Sequence, residues 1–121
     1  MQFDIQASDF SLTDAFRNYT VRRLRYALSA KGDQIQRVIV RLSNISGPRG
    51  VAYKRCHIQV VLEQLDDVTI EDIETDLYTA IDRGTERAGN TVERRLARER
   101  DKYRPHSKID IQLLTEVYEL A

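Results

Sequence analysis

The chain has 121 residues, of which 41% are hydrophobic and 31% charged, and its formal net charge is +0. This length suits one domain with an apolar core and a heavily charged surface. No apolar run approaches the roughly 20 residues that cross a bilayer, and the N-terminus lacks the basic and apolar blocks of a secretory signal. The single cysteine, Cys56, excludes an internal disulfide framework. These observations predict a cytoplasmic protein that does not bind membranes.

Charge is segregated along the chain although it sums to zero. Residues 17–55 contain ten Lys or Arg and one acid, residues 62–82 contain eight acids and no base, and residues 83–104 contain eight bases and four acids. Charge sorted in this way can form a basic face in the folded protein. Surface charge without a binding role is the alternative.

The chain begins with a predicted strand and a predicted helix. Residues 2–7, QFDIQA, alternate polar and apolar side chains, which is typical of a half-buried strand. Ser11 or Thr13 is placed to cap a helix. That helix is predicted to run to about Ala30 and to end at Lys31-Gly32, a common C-terminal signal.

Three more strands are predicted, over Arg37–Ser43, Lys54–Leu62 and Val68–Ile70. Asn44–Gly50 is predicted to be a turn or loop because of its Gly-Pro content. The end of the fourth strand is left open, since residues 72–76 also fit the start of a helix.

A long helix is predicted from about Ile73 to Lys102, ahead of Pro105, which stops it. After it, the tail over 105–121 has the pattern of a short amphipathic turn or two. The apolar stripe of the long helix is formed by Leu77, Ile81, Ala88, Val92 and Leu96.

The element order β-α-β-β-β-α predicts an α+β fold, with a four-stranded sheet and two helices packed on one of its faces. The β-α-β start implies a right-handed crossover and a parallel first pair of strands. The later hairpins imply antiparallel pairs. The outward faces of the two helices are then expected to be neighbours and to form a joint cationic surface.

An arginine row on the long helix is the main candidate binding feature. Arg83, Arg87, Arg94 and Arg98 fall within about 60° of one another, away from the apolar stripe. Arginine suits phosphate because its planar fork donates two hydrogen bonds at once. The row has no interleaved acid in the sequence, which favours a polyanionic partner over a merely solvated face.

The first helix adds Arg22 and Arg25, with Tyr19 and Tyr26 expected to be exposed beside them. Aromatic rings next to arginines can stack on unpaired bases. Tyrosines that only cover the edge of the helix are the alternative. Further basic candidates lie in and after the loop, at Arg49, Lys54 and Arg55.

The sequence offers little for catalysis. Cys56 and His57 are neighbours in a strand and point to opposite faces, so they do not form a direct nucleophile–base pair. Cys56 shares a face with apolar residues, which predicts a buried structural cysteine. His106 is remote from His57, and the acids of residues 63–76 lack the spacing of a calcium loop. The sequence therefore predicts a protein that is not an enzyme and that needs no metal or cofactor.

Three stretches resemble the ribosome hibernation-promoting factor family, also described as ribosome-associated inhibitor A or sigma-54 modulation proteins. They are MQFDIQASDFSLTDAFRNYTVRRL at 1–24, RVIVRL at 37–42 and DLYTAID at 76–82, which opens the long basic helix. The last stretch is the most specific of the three. The resemblance covers residues 1–104 as a ribosome-binding domain and leaves 105–121 as a short C-terminal tail.

The resemblance implies a fold similar to a double-stranded-RNA-binding domain and a short-form member of the family. It implies binding to ribosomal RNA of the small subunit, in the channel used by messenger and transfer RNA. Initiation would be blocked, and idle ribosomes would be protected in stress or stationary phase. The residues that this implies as phosphate contacts are Arg22, Arg25, Arg83, Arg87, Arg94, Arg98 and Lys102.

Three features depart from the family pattern. The segment NISGPRGVAYKRC at 44–56 is longer and more basic than in short forms, the long helix has arginine where lysine is common, and the tail is too short for the extra C-terminal domain of long forms. A regulatory module of the same fold is the alternative function. It would bind a basic protein partner through the acids of residues 63–76 and would not bind ribosomes.

Overall fold

The computed structural model describes residues 1–103, which form four strands and two helices in the predicted order β-α-β-β-β-α. The predicted α+β fold class is confirmed. Short 3₁₀ segments follow the first helix, at Ser29–Gln34, and form the turn of the first hairpin, at Pro48–Gly50. The main elements are β1 Gln2–Ala7, α1 Asp14–Leu28, β2 Ile35–Ser46, β3 Ala52–Leu62, β4 Val68–Glu74 and α2 Leu77–Tyr103.

The strands form one sheet in the order β1-β2-β3-β4. β1 runs parallel to β2, and the other two pairs are antiparallel, as the sequence predicts. One register row crosses the whole sheet through Ile5, Val40, Ile58 and Ile70. All four residues of this row are buried. Strand alternation therefore gives the sheet one apolar face.

Both helices cover that apolar face. Leu24 and Leu28 of α1 and Ile81 and Val92 of α2 are buried in the same core cluster as the strand residues. Burying a side chain of this size stabilises the fold by roughly 1.5–3 kcal/mol. On the other face of the sheet, exposed Arg37 and Arg41 alternate along β2 with its buried residues.

The hairpin between β2 and β3 is longer than predicted. Pairing continues through Ser43–Arg55, Asn44–Lys54 and Ile45–Tyr53 to Ser46–Ala52, so the predicted loop at Asn44–Gly50 is wrong at its start. The turn itself is closed by a 2.7 Å hydrogen bond from Gly47 N to Val51 O. Ladder pairing with β3 outweighs the weak strand propensity of a Ser- and Asn-containing segment.

The beginning of the long helix also differs. β4 continues to Glu74, whose register partner is Lys54, so a helix beginning at Ile73 is wrong. α2 begins at Leu77 because the Asp76 carboxylate accepts a 2.9 Å hydrogen bond from Thr79 N. Aspartate is a preferred cap because it satisfies an otherwise unpaired helix N–H.

At α1, the Thr13 hydroxyl accepts a 3.2 Å hydrogen bond from Phe16 N, which selects Thr13 over Ser11 as the cap. The helix ends at Leu28, two residues before the predicted end, and the chain continues as a 3₁₀ segment. The predicted tail at 105–121 and the stop at Pro105 lie outside the described residues.

Two kinds of feature are absent from the described part of the chain. No helix within residues 1–103 is long and apolar enough to cross a membrane. In the same residues, no three His, Cys, Asp or Glu side chains gather into a metal-binding group.

The helices lie close together where Gly89 of α2 faces Ala27 of α1. A Cβ at position 89 would lie 2.9 Å from the Ala27 carbonyl oxygen and 3.2 Å from the Ala27 Cβ. Real Cβ atoms do not approach a backbone atom that closely, so a side chain at this position would push the helices apart.

We expect Gly89→Ala to lower the free energy of unfolding by about 1–3 kcal/mol, because overpacking outweighs the gain of about 1 kcal/mol in helix propensity. Urea unfolding followed by circular dichroism measures this change. Gly32→Ala is the matched control, since its new Cβ would meet only Met1 Cε at an ordinary 3.5 Å. A Gly89→Ala protein as stable as the wild type would contradict the close approach.

Cys56 is fully buried beneath the helices, which confirms the predicted structural role. Desolvation by burial, with the nearby charge of Asp72, raises the pKa of the Cys56 thiol from 9.0 to about 12. Above pH 9, the unfolded chain therefore loses a proton that the folded chain retains. The free energy of unfolding falls as pH rises through this range.

We expect this slope to approach about 1.4 kcal/mol per pH unit between pH 9 and pH 12. Urea unfolding at several pH values, for the wild type and for Cys56→Ala, isolates the contribution of the thiol. The difference in unfolding free energy between the two proteins should change steadily with pH in this range. Parallel pH profiles would contradict a protonated thiol in the folded core.

Candidate nucleic-acid interface

The DLYTAID segment, at the beginning of α2, packs this helix against α1 and the core. Leu77, Ala80 and Ile81 are buried in the core. The ring of Tyr78 lies 4.8 Å from the Phe16 ring and 4.9 Å, edge to face, from the Tyr19 ring. These contacts fix α1 against the first turn of α2.

Asp82 completes this junction. Its carboxylate accepts a hydrogen bond from the Tyr19 hydroxyl and lies 3.2 Å from Arg23 Nε. The hydrogen bond to Asp82, followed by desolvation, raises the pKa of Tyr19 above its ordinary value. Tyr19 is half-buried in this contact, so the expectation that it is an exposed base-stacking residue is wrong.

The first half of the predicted arginine row is bound to β4. Arg83 Nη1 lies 3.1 Å from Glu74 Oε1. Arg87 Nη1 donates a 2.7 Å hydrogen bond to the Glu71 carbonyl oxygen and lies 3.4 Å from the Asp72 carboxylate. The sequence shows no acid within the row, but the fold supplies acids from the neighbouring strand. These two charges are therefore partly neutralised.

The second half of the row has no acid partner. Arg94 and Arg98 are exposed, and within residues 1–103 neither lies within 4 Å of a carboxylate oxygen. Arg94 makes only a 3.4 Å hydrogen bond to the Thr91 hydroxyl. Lys102 Nζ lies 3.8 Å from Glu99 and is 76% exposed, so its charge remains open to solvent. This end of α2 is a cationic surface.

α1 carries a second cationic surface. The Arg22 guanidinium lies 5.8 Å from the centre of the Tyr19 ring, and that of Arg25 lies 5.5 Å from the centre of the Phe3 ring. With Arg17, both border a shallow cavity of about 310 Å³. Arg17 is a residue that the sequence reasoning missed, although its i, i+4, i+8 relation to Val21 and Arg25 places it on the same helix face.

Three of the predicted arginines lie at opposite edges of the sheet. Arg25 lies over β1, whereas Arg83 and Arg87 contact β4, and these strands are the opposite edges of the sheet. Three strand spacings of about 4.8 Å separate the edges. The helices are neighbours as predicted, and a groove lined mostly by polar and small residues lies between them. The joint cationic surface of the two helices stays a prediction.

The basic residues of the β2–β3 hairpin differ in their contacts. Lys54 Nζ donates a 2.6 Å hydrogen bond to Asn44 Oδ1 and lies 5.5 Å from the centre of the Phe10 ring. Arg55 Nη2 lies 2.8 Å from Glu71 Oε2. Arg49 is exposed at the turn, in the left-handed region with a φ of 62°. Of these three residues, Arg49 alone makes no such contact with the described part of the chain.

Comparison with known families gives one decisive match. The family described as "Sigma 54 modulation protein / S30EA ribosomal protein" matches residues 3–104. The chain belongs to this family. This confirms the resemblance found in the sequence. Comparison with the curated proteins finds none that matches significantly.

Two solved structures illustrate the family fold. The crystal structure of the Thermus thermophilus Protein Y N-terminal domain is 28% identical, with a TM-score of 0.63, over 78% of this chain and 98% of that one. A ribosomal subunit interface protein from Coxiella burnetii is 14% identical, with a TM-score of 0.67, over 80% of this chain and 99% of that one. The second likeness shows the fold alone.

The two halves of the arginine row should behave differently when truncated. We expect Arg83→Ala/Arg87→Ala to lower the free energy of unfolding by about 1–3 kcal/mol, because it removes the partner of Asp72, whose side chain is only 13% exposed. Arg94→Ala/Arg98→Ala should change it by no more than about 0.5 kcal/mol. Chemical denaturation of both double variants measures this. Equal changes in the two variants would contradict the division of the row.

Proposed function

We propose that this protein binds the small ribosomal subunit in the channel used by messenger and transfer RNA, and that it acts in the cytoplasm as a translation inhibitor and hibernation factor. The chain belongs to a family whose description names a ribosomal protein, and this supports association with the ribosome. The contacts would be made by Arg22, Arg25, Arg83, Arg87, Arg94, Arg98 and Lys102.

The observation that carries this proposal is the set of arginines without acid partners on the two helices. A protein whose charges sum to zero attracts RNA only where cations are left unneutralised. Arg22 and Arg25 on α1 and Arg94 and Arg98 on α2 meet that condition within residues 1–103. Arg83 and Arg87 would add less affinity, because phosphate must compete with Glu74 and Asp72 for them.

These contacts would position the protein on the RNA without recognising a particular base sequence. Arginine side chains on exposed helix faces meet phosphate oxygens, which are the same at every nucleotide. Because unpaired arginines lie on both helices, α1 and α2 would both contact RNA in the bound position. Inhibition would follow from occupancy, because a bound domain excludes the messenger and transfer RNA that use the channel.

The alternative function through the acidic segment is less favoured. Of the acids in residues 63–76, all except Asp66 have side-chain partners within the fold: Glu63 with Gln36, Asp67 with Gln59, Glu71 with Arg55, Asp72 with Arg87, Glu74 with Arg83, and Asp76 with the N-terminus of α2. A basic protein partner would have to displace these interactions.

We expect Arg94→Ala/Arg98→Ala and Arg22→Ala/Arg25→Ala each to weaken binding to purified small subunits. Each should also flatten the dependence of log affinity on log salt by about one unit for every phosphate that the variant no longer neutralises. Arg83→Ala/Arg87→Ala should cost less affinity, since these cations are already paired. Sedimentation of the protein with small subunits at several salt concentrations measures both quantities.

The matched control is Arg37→Ala/Arg41→Ala, which removes the same charge from the face of the sheet without helices. It should bind as the wild type does. If its affinity falls as much as that of Arg94→Ala/Arg98→Ala, the helices are not the interface. A pull-down in which the partners survive RNase treatment would instead favour the protein-binding alternative.

A further inference from the structure

Between the two cationic surfaces lies a groove of about 620 Å³, along the line where α1 meets α2. Its lining includes the small residues Ala27, Thr85 and Gly89, where Gly89 lets the two helices lie close together. The four larger side chains that line it are Arg23, Tyr26, Glu86 and Asn90. The groove belongs to neither cationic surface.

Tyr26 is the unusual member of this lining. Its side chain is 82% exposed, more than any other large hydrophobic residue among residues 1–103. Tyr19 and Tyr78 pack against each other at the helix junction, and Tyr78 also packs against Phe16, but Tyr26 has no such ring partner in the same part of the chain. Packing in the folded domain therefore does not account for this ring.

The polar groups of the groove suit a base edge better than a phosphate. Glu86 and Asn90 are exposed on successive turns of α2, and within residues 1–103 neither side chain is engaged in a hydrogen bond or ion pair. The Glu86 carboxylate repels phosphate but accepts hydrogen bonds from amino groups, and the Asn90 amide both donates and accepts. The Arg23 charge is held by Asp82.

Free guanidinium groups flank the groove. Arg22 precedes Tyr26 by one turn of α1, and Arg94 follows Asn90 by one turn of α2, which is about 6 Å along each helix axis. Both arginines are exposed, and neither has an acid partner in the described region. They are placed to hold the phosphates on either side of a nucleotide whose base enters the groove.

We infer that the α1–α2 groove takes up one unpaired RNA base, stacked on the Tyr26 ring and contacted at its edge by Glu86 and Asn90. This inference rests on the proposed function and adds a specific contact to it. Stacking on an aromatic ring tolerates every base, because every base presents a π face. The groove thus selects single-stranded or looped RNA over duplex RNA.

The chain contains no tryptophan, so Tyr26→Trp gives a single fluorescent reporter in the groove. We expect a mixed-sequence single-stranded RNA oligonucleotide to quench this fluorescence at low salt, and a duplex of the same length to leave it nearly unchanged. Small ribosomal subunits should quench it as well. Ile73→Trp is the control reporter, since this exposed residue lies on β4, away from the helices.

Affinity provides an independent measurement. Tyr26→Leu should weaken binding to small subunits by about tenfold, within the range expected when one base is no longer stacked, while Tyr26→Phe should bind as the wild type does. The salt dependence of Tyr26→Leu should keep the wild-type slope, because no cation is removed. Because Tyr26 is exposed, thermal unfolding should be nearly unchanged in both variants.

The outcomes separate the two proposals. Wild-type affinity in Tyr26→Leu, together with unquenched fluorescence in Tyr26→Trp, overturns the base site and leaves ribosome binding intact. Quenching by subunits but not by the RNA oligonucleotide also overturns it, in favour of a protein occupant. If the wild type does not bind subunits, the proposed function fails, and the oligonucleotide measurement still decides whether the groove takes a base.

Discussion

The arrangement of the helices depends on one constraint, the side-by-side packing of α1 and α2 on a single apolar sheet face. At one end of their contact, Asp82 of α2 accepts a hydrogen bond from Tyr19 and forms an ion pair with Arg23, both on α1. Further along, Gly89 leaves room for the Ala27 backbone. The aromatic contact of Tyr78 lies beside the Asp82 junction. Together these contacts fix the rotation of each helix, and hence the direction of every arginine on their outer surfaces.

This rotation explains why a neutral chain can still present cations. The first arginines of α2, Arg83 and Arg87, contact β4, where Glu74 and Asp72 partly neutralise them. Arg94, further along α2, has no acid partner on that strand. On α1, Arg22 lies over the ring of Tyr19 and Arg25 lies over the ring of Phe3 of β1, so neither meets an acid. Acids and bases that are segregated in the sequence are therefore partly recombined by the fold, and arginines without acid partners remain on both helices.

The same geometry assigns different tasks to residues of one type. Arg87 donates a hydrogen bond to a backbone carbonyl of the edge strand β4 and so ties α2 to this strand. Arg23 stabilises the helix junction through Asp82. Arg94 and Arg98 do neither, and are available to a polyanion. An arginine in this protein is thus a structural or a binding residue according to which acids lie within its reach.

Much of the fold follows from the sequence, because alternation of apolar residues and helix caps are local signals. The six elements, the parallel first pair and the buried Cys56 are read from such patterns. Where local signals are ambiguous, as at residues 44–46 and 73–74, pairing with β3 decides the outcome and the predicted boundaries are wrong. The likeness of DLYTAID to a known family is also present in the sequence, but its role as a helix junction is not.

The candidate site likewise has features that the sequence determines and features that it does not. Helical periodicity by itself determines that four arginines of α2 share one face, and that Arg22 and Arg25 lie away from the core of α1. It does not determine which acids those arginines meet, because Glu74 and Asp72 come from a strand placed beside α2 only by the sheet order. Only the tertiary structure separates paired from unpaired cations and forms the groove at Tyr26, because ion pairs and grooves depend on distances between elements that are remote along the chain.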